Sequence, residues 1–188
     1  APGIAEMVTA FARLTKSISK ETQKLVPLQE ELALLNDYFT IQQYRYGGDL
    51  EIEVSRIEDE RLCRDCLIPR FTLQPLVENA IYHGMEYMDG DGEIFVRAWQ
   101  EEKELYLEVR DNGLGMTEEQ VESLFTDTAH VASKRGSGIG VRNVNERIKL
   151  YFGAEYGLSI ESEPDEGTAV KIHLPAVPYE KVLEEKKV

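Results

Sequence analysis

Asp111-Asn112-Gly113-Leu114-Gly115-Met116 decides the fold. It is a D-x-G-x-G turn that closes the alternating stretch Leu105 to Arg110. Glycines at a strand end let the backbone turn sharply and approach a ligand closely, and a carboxylate beside them can fix that ligand's orientation. Two other stretches belong with it. Leu73 to Gly84, centred on Asn79, comes before, and Gly136-Ser137-Gly138-Ile139-Gly140 comes after. Together they read as one nucleotide pocket.

A chain of 188 residues suits one domain plus an appendage. At 42% hydrophobic and 30% charged it has the balance of a soluble globular protein that buries a core. The formal net charge of -14 argues against a nucleic-acid surface, because phosphate backbones are held by clusters of Lys and Arg. A nucleotide needs only one local positive site. No apolar run reaches the roughly 20 residues of a membrane-spanning helix, and no signal peptide is visible. No direct membrane contact is expected of this chain. The opening Ala1-Pro2-Gly3 reads as the start of a piece of something larger. Cys63 and Cys66 form a lone C-x-x-C with no second Cys pair or nearby His pair, short of the about four ligands zinc takes. They read as ordinary thiols, and so few cysteines suit a reducing compartment.

Working outward, Ile4 to about Lys20 reads as a helix with Ile4, Met7, Phe11, Leu14 and Ile18 on one stripe. Pro27 interrupts the chain, and Leu28 to Tyr46 reads as a second helix on Leu28, Leu32, Leu35 and Phe39. Such seams suit a helical hairpin, a dimer bundle or docking on the chain's own domain. Gly47 to Asp49 is a turn, and Leu50 to Ile57 alternates as a half-buried strand. A short strand is expected near Pro69, then a helix from Phe71 to about Met88 and a loop over 89–92. Glu93 to Gln100 pairs with Leu105 to Arg110. Thr117 caps a short helix ending at Phe125, with acids in its first turn. Thr126 to Gly138 reads as a mobile loop. Gly140 to Phe152 is a helix on Val141, Val144, Ile148 and Tyr151, and Leu158 to Glu163 with Ala169 to Leu174 is a final hairpin. The charged tail from Pro175 is expected to fray. This order does not alternate as a doubly wound fold does. It implies a two-layer α/β sandwich, a mixed sheet with helices on one face. The expected division is N-terminal helices over 1–46, a nucleotide-binding domain over 47–176 and a tail over 177–188.

On the helix around Asn79, Leu73, Leu76, Val77, Ala80 and Ile81 share the apolar face, with Asn79, Tyr82, His83 and Glu86 opposite. Asn79 and His83 are a helical turn apart and can reach one ligand, and an Asn carbonyl is a reasonable oxygen ligand for Mg²⁺. Gly136 to Gly140 runs into a helix N-terminus, whose free N–H groups suit phosphate oxygens. It is not the dinucleotide G-x-G-x-x-G, since its third glycine comes one residue early, and the chain has no P-loop and no protein-kinase motif set.

In order, Leu-Gln-Pro-Leu-Val-Glu-Asn-Ala-Ile-Tyr-His-Gly (73 to 84), Asp-Asn-Gly-Leu-Gly-Met (111 to 116), Gly-Ser-Gly-Ile-Gly-Val-Arg-Asn-Val (136 to 144) and Gly167-Thr168 resemble the N, G1 and G2 boxes and closing Gly-Thr of the Bergerat ATP-binding (GHKL) fold. Histidine kinases, gyrase, Hsp90 and MutL share that fold. The form of the first stretch, with Val26 to Leu50 ahead of it, resembles sensor histidine kinases of the YesM/LytS type, over about residues 25 to 175. The resemblance implies ATP and Mg²⁺ as ligands. It gives Asp111 the adenine amino group, Gly113 and Gly115 the closure over the base, and Asn79 the metal. Gly136, Gly138 and Gly140 would line the phosphates beneath a lid, and Thr168 would support the adenine from the sheet. His83 would belong to the same pocket.

Departures carry weight. Many histidine kinases have Lys where this chain has Tyr82, so the phosphate charge falls to Lys134, Arg135 or Arg142. Gyrase, Hsp90 and MutL activate water with a Glu four residues before the Asn. That position here is Pro75, so efficient hydrolysis is not expected, and Glu78 is the nearest acid to polarise a water or the acceptor. His83, His130 and His173 are the chain's histidines; neither His130 nor His173 is placed on a helix as the family's phosphoacceptor is, and His83 belongs to the nucleotide pocket. The resemblance therefore implies a cytoplasmic catalytic part of a membrane-bound, homodimeric sensor kinase. It would transfer the γ-phosphoryl group to an upstream His and thence to an Asp of a response regulator. The alternatives are another GHKL protein, such as a serine kinase acting as an anti-sigma factor, or a non-catalytic nucleotide-sensing module.

Overall fold

The computed structural model describes residues 2–19, 24–46, 50–57, 64–85, 92–126 and 139–178, with backbone alone for 2, 18–19, 50–57 and 83–85. The expected turn at 47–49, the loop over 89–91, the lid over 127–138 and the tail from 179 lie outside these residues.

Helix α1 (Pro2–Ser19) and helix α2 (Leu28–Tyr46) flank a short strand β1 (Leu25–Pro27). The stripe expected on α2 is the stripe buried: Leu28, Leu32, Leu35 and Phe39 all join the main core. The stripe expected on α1 divides. Ala10 is buried, whereas Ile4 and Phe11 are 60% and 64% exposed, so α1 leans on α2 through a narrower seam than the sequence implies. Arg13 Nη1 meets Asp37 Oδ1 across it at 3.3 Å.

The sheet is built from β2 (Leu50–Ile57), β4 (Gly92–Glu101), β5 (Glu104–Asp111), β6 (Gly157–Glu163) and β7 (Gly167–Pro175). Its order is β2-β4-β5-β7-β6, with β2 parallel to β4 and every other pair antiparallel. It is the expected mixed sheet. Period-two alternation sends Ile94, Val96, Ala98, Leu107, Val109, Val170 and Ile172 into the core against the helices. The other face carries a polar ladder. Glu108, 2% exposed, takes Arg97 Nε at 2.8 Å and Arg110 Nε at 3.5 Å.

A second, two-stranded sheet was not legible. Strand β3 (Leu67–Pro69) pairs antiparallel with β1, and neither is long enough to show a period. The fraying expected after Pro175 is corrected at its start. Ala176 N donates to Lys103 O, Leu67 N donates to Val177 O at 2.9 Å, and Pro178 bridges Cys66. Cys66 is buried, its Sγ 3.9 Å from Gln100 Oε1, and Cys63 lies outside the described residues.

Helix α3 (Leu73–Asn79) is shorter than the helix expected from Phe71 to Met88. Phe71 has φ 59°, which an α-helix does not admit. After Asn79 the chain widens into a π-helical segment, Ala80–Met85. Thr72 makes no side-chain cap. Glu31 of α2 supplies it instead, Oε1 accepting Phe71 N–H and Oε2 accepting Thr72 and Leu73 N–H. Helix α4 (Glu118–Phe125) carries the expected Thr117 cap as a full capping box with Gln120. Helix α5 (Ile139–Phe152) buries Val141, Val144 and Ile148, but Tyr151 is 38% exposed and Asn145 takes the fourth inward place. Asn145 Oδ1 accepts Leu158 N–H there at 2.9 Å.

Candidate functional site

Asp111 ends β5 directly opposite Thr168 at the start of β7. The carboxylate is 8% exposed, and its Oδ1 accepts the Gly113 N–H at 2.9 Å, a local turn that starts the glycine loop. Asn112 fastens the loop to β4, its Oδ1 taking Glu93 N–H at 2.8 Å. The other side is fastened to the β6–β7 hairpin. Met116 N donates to Ser162 Oγ at 2.8 Å, Ser162 Oγ lies 2.9 Å from Thr168 Oγ1, and Asp165 N donates to Leu114 O at 2.7 Å. Ser162 was missed by the sequence reading, since it is one polar residue among several in an alternating strand.

Gly115 has φ 66°, and a Cβ there would collide with the Glu163 carbonyl oxygen. Gly167 has φ 91°, and a Cβ there would collide with the Asp111 carbonyl oxygen. Both glycines are therefore required by the fit of loop to hairpin, before any ligand is considered.

Asp111, Thr168, Gly115 and Asn79 line one narrow slot with the apolar walls Val109 and Val170. The slot holds only about 20 Å³, and Asp111, Met116 and Thr168 are shared between it and a wider groove of about 600 Å³ along α4 and the hairpin. The wider groove is lined by Glu118, Glu161, Glu163 and Glu166. Those carboxylates would repel phosphates, so size does not choose the site; Asn79, Gly115, Val109 and Val170, which line the slot and not the groove, set the slot apart. A carboxylate, a hydroxyl and two branched apolar walls suit a flat, amino-bearing heterocycle. On the far side of Asn79 a third cavity of about 290 Å³ lies between α2, α3 and the first turn of α5, with Gly140 on its wall.

The structure thus brings together Asn79, Asp111, Gly115 and Thr168, with Gly113 buried in the same turn and Gly140 facing the far cavity. Glu78 is exposed on that cavity's rim, and Gln74 Nε2 donates to it at 3.1 Å. Arg142 lies along α5, its Nε 3.7 Å from Glu146 Oε1, and is not on the wall of any of the three cavities. Lys134, Arg135, Gly136, Gly138 and the His83 side chain lie outside the described residues. Burial pushes the Tyr38 phenol well above its ordinary value, helped by the Glu78 carboxylate, so it remains a hydroxyl donor in the far cavity. Burial also pushes the Glu31 carboxyl up, opposed by its three N–H donors and by Arg147. Arg147 donates to Phe71 O at 2.8 Å.

Comparison with known proteins identifies the family and the fold. Residues 69–178 match the family of histidine kinase-, DNA gyrase B- and HSP90-like ATPases, and residues 1–50 match a histidine kinase family. The chain is 38% identical over 166 residues to the sensor protein LytS of Bacillus anthracis, covering 88% of this chain and 27% of that protein. It is 36% identical over 172 residues to the sensor histidine kinase YesM of Bacillus subtilis, covering 92% of this chain and 28% of that protein. It therefore spans a little over a quarter of these relatives. Among solved structures, the catalytic domain of histidine kinase ThkA shares the fold with a TM-score of 0.58 at 12% identity, over 83% of this chain and all of that one. The mycobacterial sensor histidine kinase MprB does so with a TM-score of 0.56 at 20% identity, over 84% of this chain and 99% of that one. On these matches the chain belongs to the histidine kinase-, DNA gyrase B- and HSP90-like ATPase family, as a catalytic domain of the LytS/YesM sensor histidine kinase type.

Proposed function

We propose that this chain binds ATP with its adenine in the Asp111–Thr168 slot and its phosphates toward Gly140 and the far cavity. The observation that carries the reading is the pairing of Asp111 with Thr168 across two core strands, beside Asn79. A buried carboxylate there accepts the adenine amino group, and Met116, flexible and shared with the outer groove, is the side chain that swings to admit the base. The first turn of α5 presents backbone N–H groups to phosphate oxygens. Magnesium, when bound, neutralises triphosphate charge, and the Asn79 amide oxygen is the donor that would hold it.

In the whole protein the γ-phosphoryl group passes to a histidine imidazole on a helix ahead of this domain. The imidazole nitrogen lone pair forms the new bond to phosphorus, the bond to the bridging oxygen breaks, and ADP leaves with that electron pair. The chain's part is positioning and charge neutralisation, with Glu78 at the rim polarising the acceptor. Pro75 stands where a water-activating carboxylate would, which favours transfer over hydrolysis. The phosphoryl group then passes to an aspartate of a response regulator, and the whole protein is a homodimer at the cell membrane with this domain inside the cell. Among the described residues no helix is long and apolar enough to cross a membrane.

Calorimetric titration of ATP and ADP, with Mg²⁺, into this chain and into Asp111→Asn tests the slot. Binding of both nucleotides by the unaltered chain and loss of both in the variant is expected. Equal affinity in the two proteins would overturn the assignment of Asp111.

A further inference from the structure

We infer that the wall of α2 facing Asn79 forms the γ-phosphoryl end of the nucleotide site, with Arg45 supplying its positive charge and Gln42 a polar contact. The inference rests on the nucleotide reading above. Asn79 lines both the slot and the far cavity, so the two meet at that side chain. A nucleotide whose base occupies the slot, and whose chain runs past Asn79 toward Gly140, ends in the far cavity.

What lines that end is the chemistry of an anion site. Arg45 is the one cation on the wall among the described residues. Its guanidinium carbon lies 5.4 Å from the centre of the Tyr46 ring, a contact that orients the side chain without neutralising it. Tyr38 keeps its hydroxyl proton and is a donor. Glu78 is the wall's carboxylate; it is exposed at the rim and engaged by Gln74, leaving the interior to donors.

Gln42 is the independent sign that something belongs there. It is 9% exposed, and among the described residues no donor reaches its Oε1. Buried amides are normally paired, because an unpaired one forfeits its bonds to water. An amide turned end for end offers two N–H donors in place of its carbonyl, which suits a phosphoryl oxygen. The position of Tyr82, where many histidine kinases carry Lys, lies on the same wall. Arg45 reaches this cavity from a different element, and replaces that charge.

The test uses this chain, with Mg²⁺, ATP and ADP, and compares Arg45→Met, Arg45→Lys, Gln42→Glu and Asp111→Asn by calorimetry. Arg45→Met removes one charge-assisted contact made only by the terminal phosphate, so ATP binding falls about tenfold while ADP binding is unchanged. Arg45→Lys retains most of the preference for ATP. Gln42→Glu sets an anion against the terminal phosphate and weakens ATP more than ADP. Arg45 is exposed, so its variants keep the melting temperature and decide the matter even where Gln42→Glu unfolds. An unchanged ATP-to-ADP ratio in Arg45→Met, or an equal loss of both nucleotides, overturns the inference while leaving the slot intact. Failure of the unaltered chain to bind either nucleotide, or no effect of Asp111→Asn, overturns the slot and this inference with it.

Discussion

Glu31 and Phe71 lie 40 residues apart, and the Glu31 Oε1 accepts the Phe71 backbone N–H at 2.7 Å. The other carboxylate oxygen takes the Thr72 and Leu73 N–H groups, each at 3.1 Å. One side chain of α2 therefore satisfies the start of the helix that carries Asn79, in a setting that is 3% exposed. Glu31→Gln replaces one accepting oxygen by an NH₂ group facing donors. It should lower stability by about 3 kcal/mol, the scale of breaking a buried charged hydrogen-bond set. Urea unfolding measures this, and a loss below about 1 kcal/mol would mean that α3 starts correctly without Glu31.

The glycines of the site separate into two kinds. Gly115→Ala meets the Glu163 carbonyl at a positive φ, so it should cost about 2–3 kcal/mol and abolish nucleotide binding together with stability. Gly140 lies at the start of α5, and a Cβ there would rest 3.4 Å from the Pro75 Cβ, near ordinary contact. Gly140→Ala should leave the melting temperature unchanged or raise it, while weakening nucleotide binding by crowding the phosphates. A melting temperature that falls as far as in Gly115→Ala would show that Gly140 serves packing alone.

Glu108 offers a contrast on the opposite face of the sheet. It is buried between Arg97 and Arg110, whose side chains are 45% and 54% exposed. Removing one arginine leaves Glu108 another partner, so Arg97→Ala should cost under about 1 kcal/mol. Glu108→Ala leaves two guanidinium groups sharing a face and should cost about 2 kcal/mol. Chemical denaturation of both variants decides the order, and a larger loss from Arg97→Ala would show that its stacking over Trp99 outweighs its charge.

ATP turnover by this chain alone should stay near background, since Pro75, on the wall of the far cavity, offers no carboxylate to activate a water. Phosphate release measured with Mg²⁺ and saturating ATP checks this. Rapid release abolished by Glu78→Gln would assign the water-activating role to Glu78.

Where the sequence was legible, the period was long enough to read. Strands β4, β5, β6 and β7 show alternation over seven or more residues, and the apolar face of α3 is the one that Leu73, Leu76, Val77, Ala80 and Ile81 define. The loop from Asp111 to Met116 was legible because glycine spacing leaves few other conformations. What escaped depends on partners far away in the chain. The β1–β3 pair is three residues on each side. The cap from Glu31 and the clasp from Ser162 are single polar residues whose donors lie 40 and 46 residues away. The change from α to π geometry after Asn79 leaves the same residues facing the core, so no hydrophobic pattern records it. The placement of Arg45 on the wall of the cavity that Asn79 also lines likewise required the packing of α2 onto α3.

Trp99, the chain's sole tryptophan, sits on the face of the sheet turned away from the slot. Its ring stacks on Tyr106 at 5.4 Å, and Tyr106 stacks in turn on His173 at 4.9 Å. The tryptophan emission of this protein consequently reports the integrity of β4, β5 and β7, and is remote from whatever enters from the helical side. A titration followed by tryptophan fluorescence would read as no interaction even at saturation, whereas the same signal followed through denaturant would register the loss of the whole sheet.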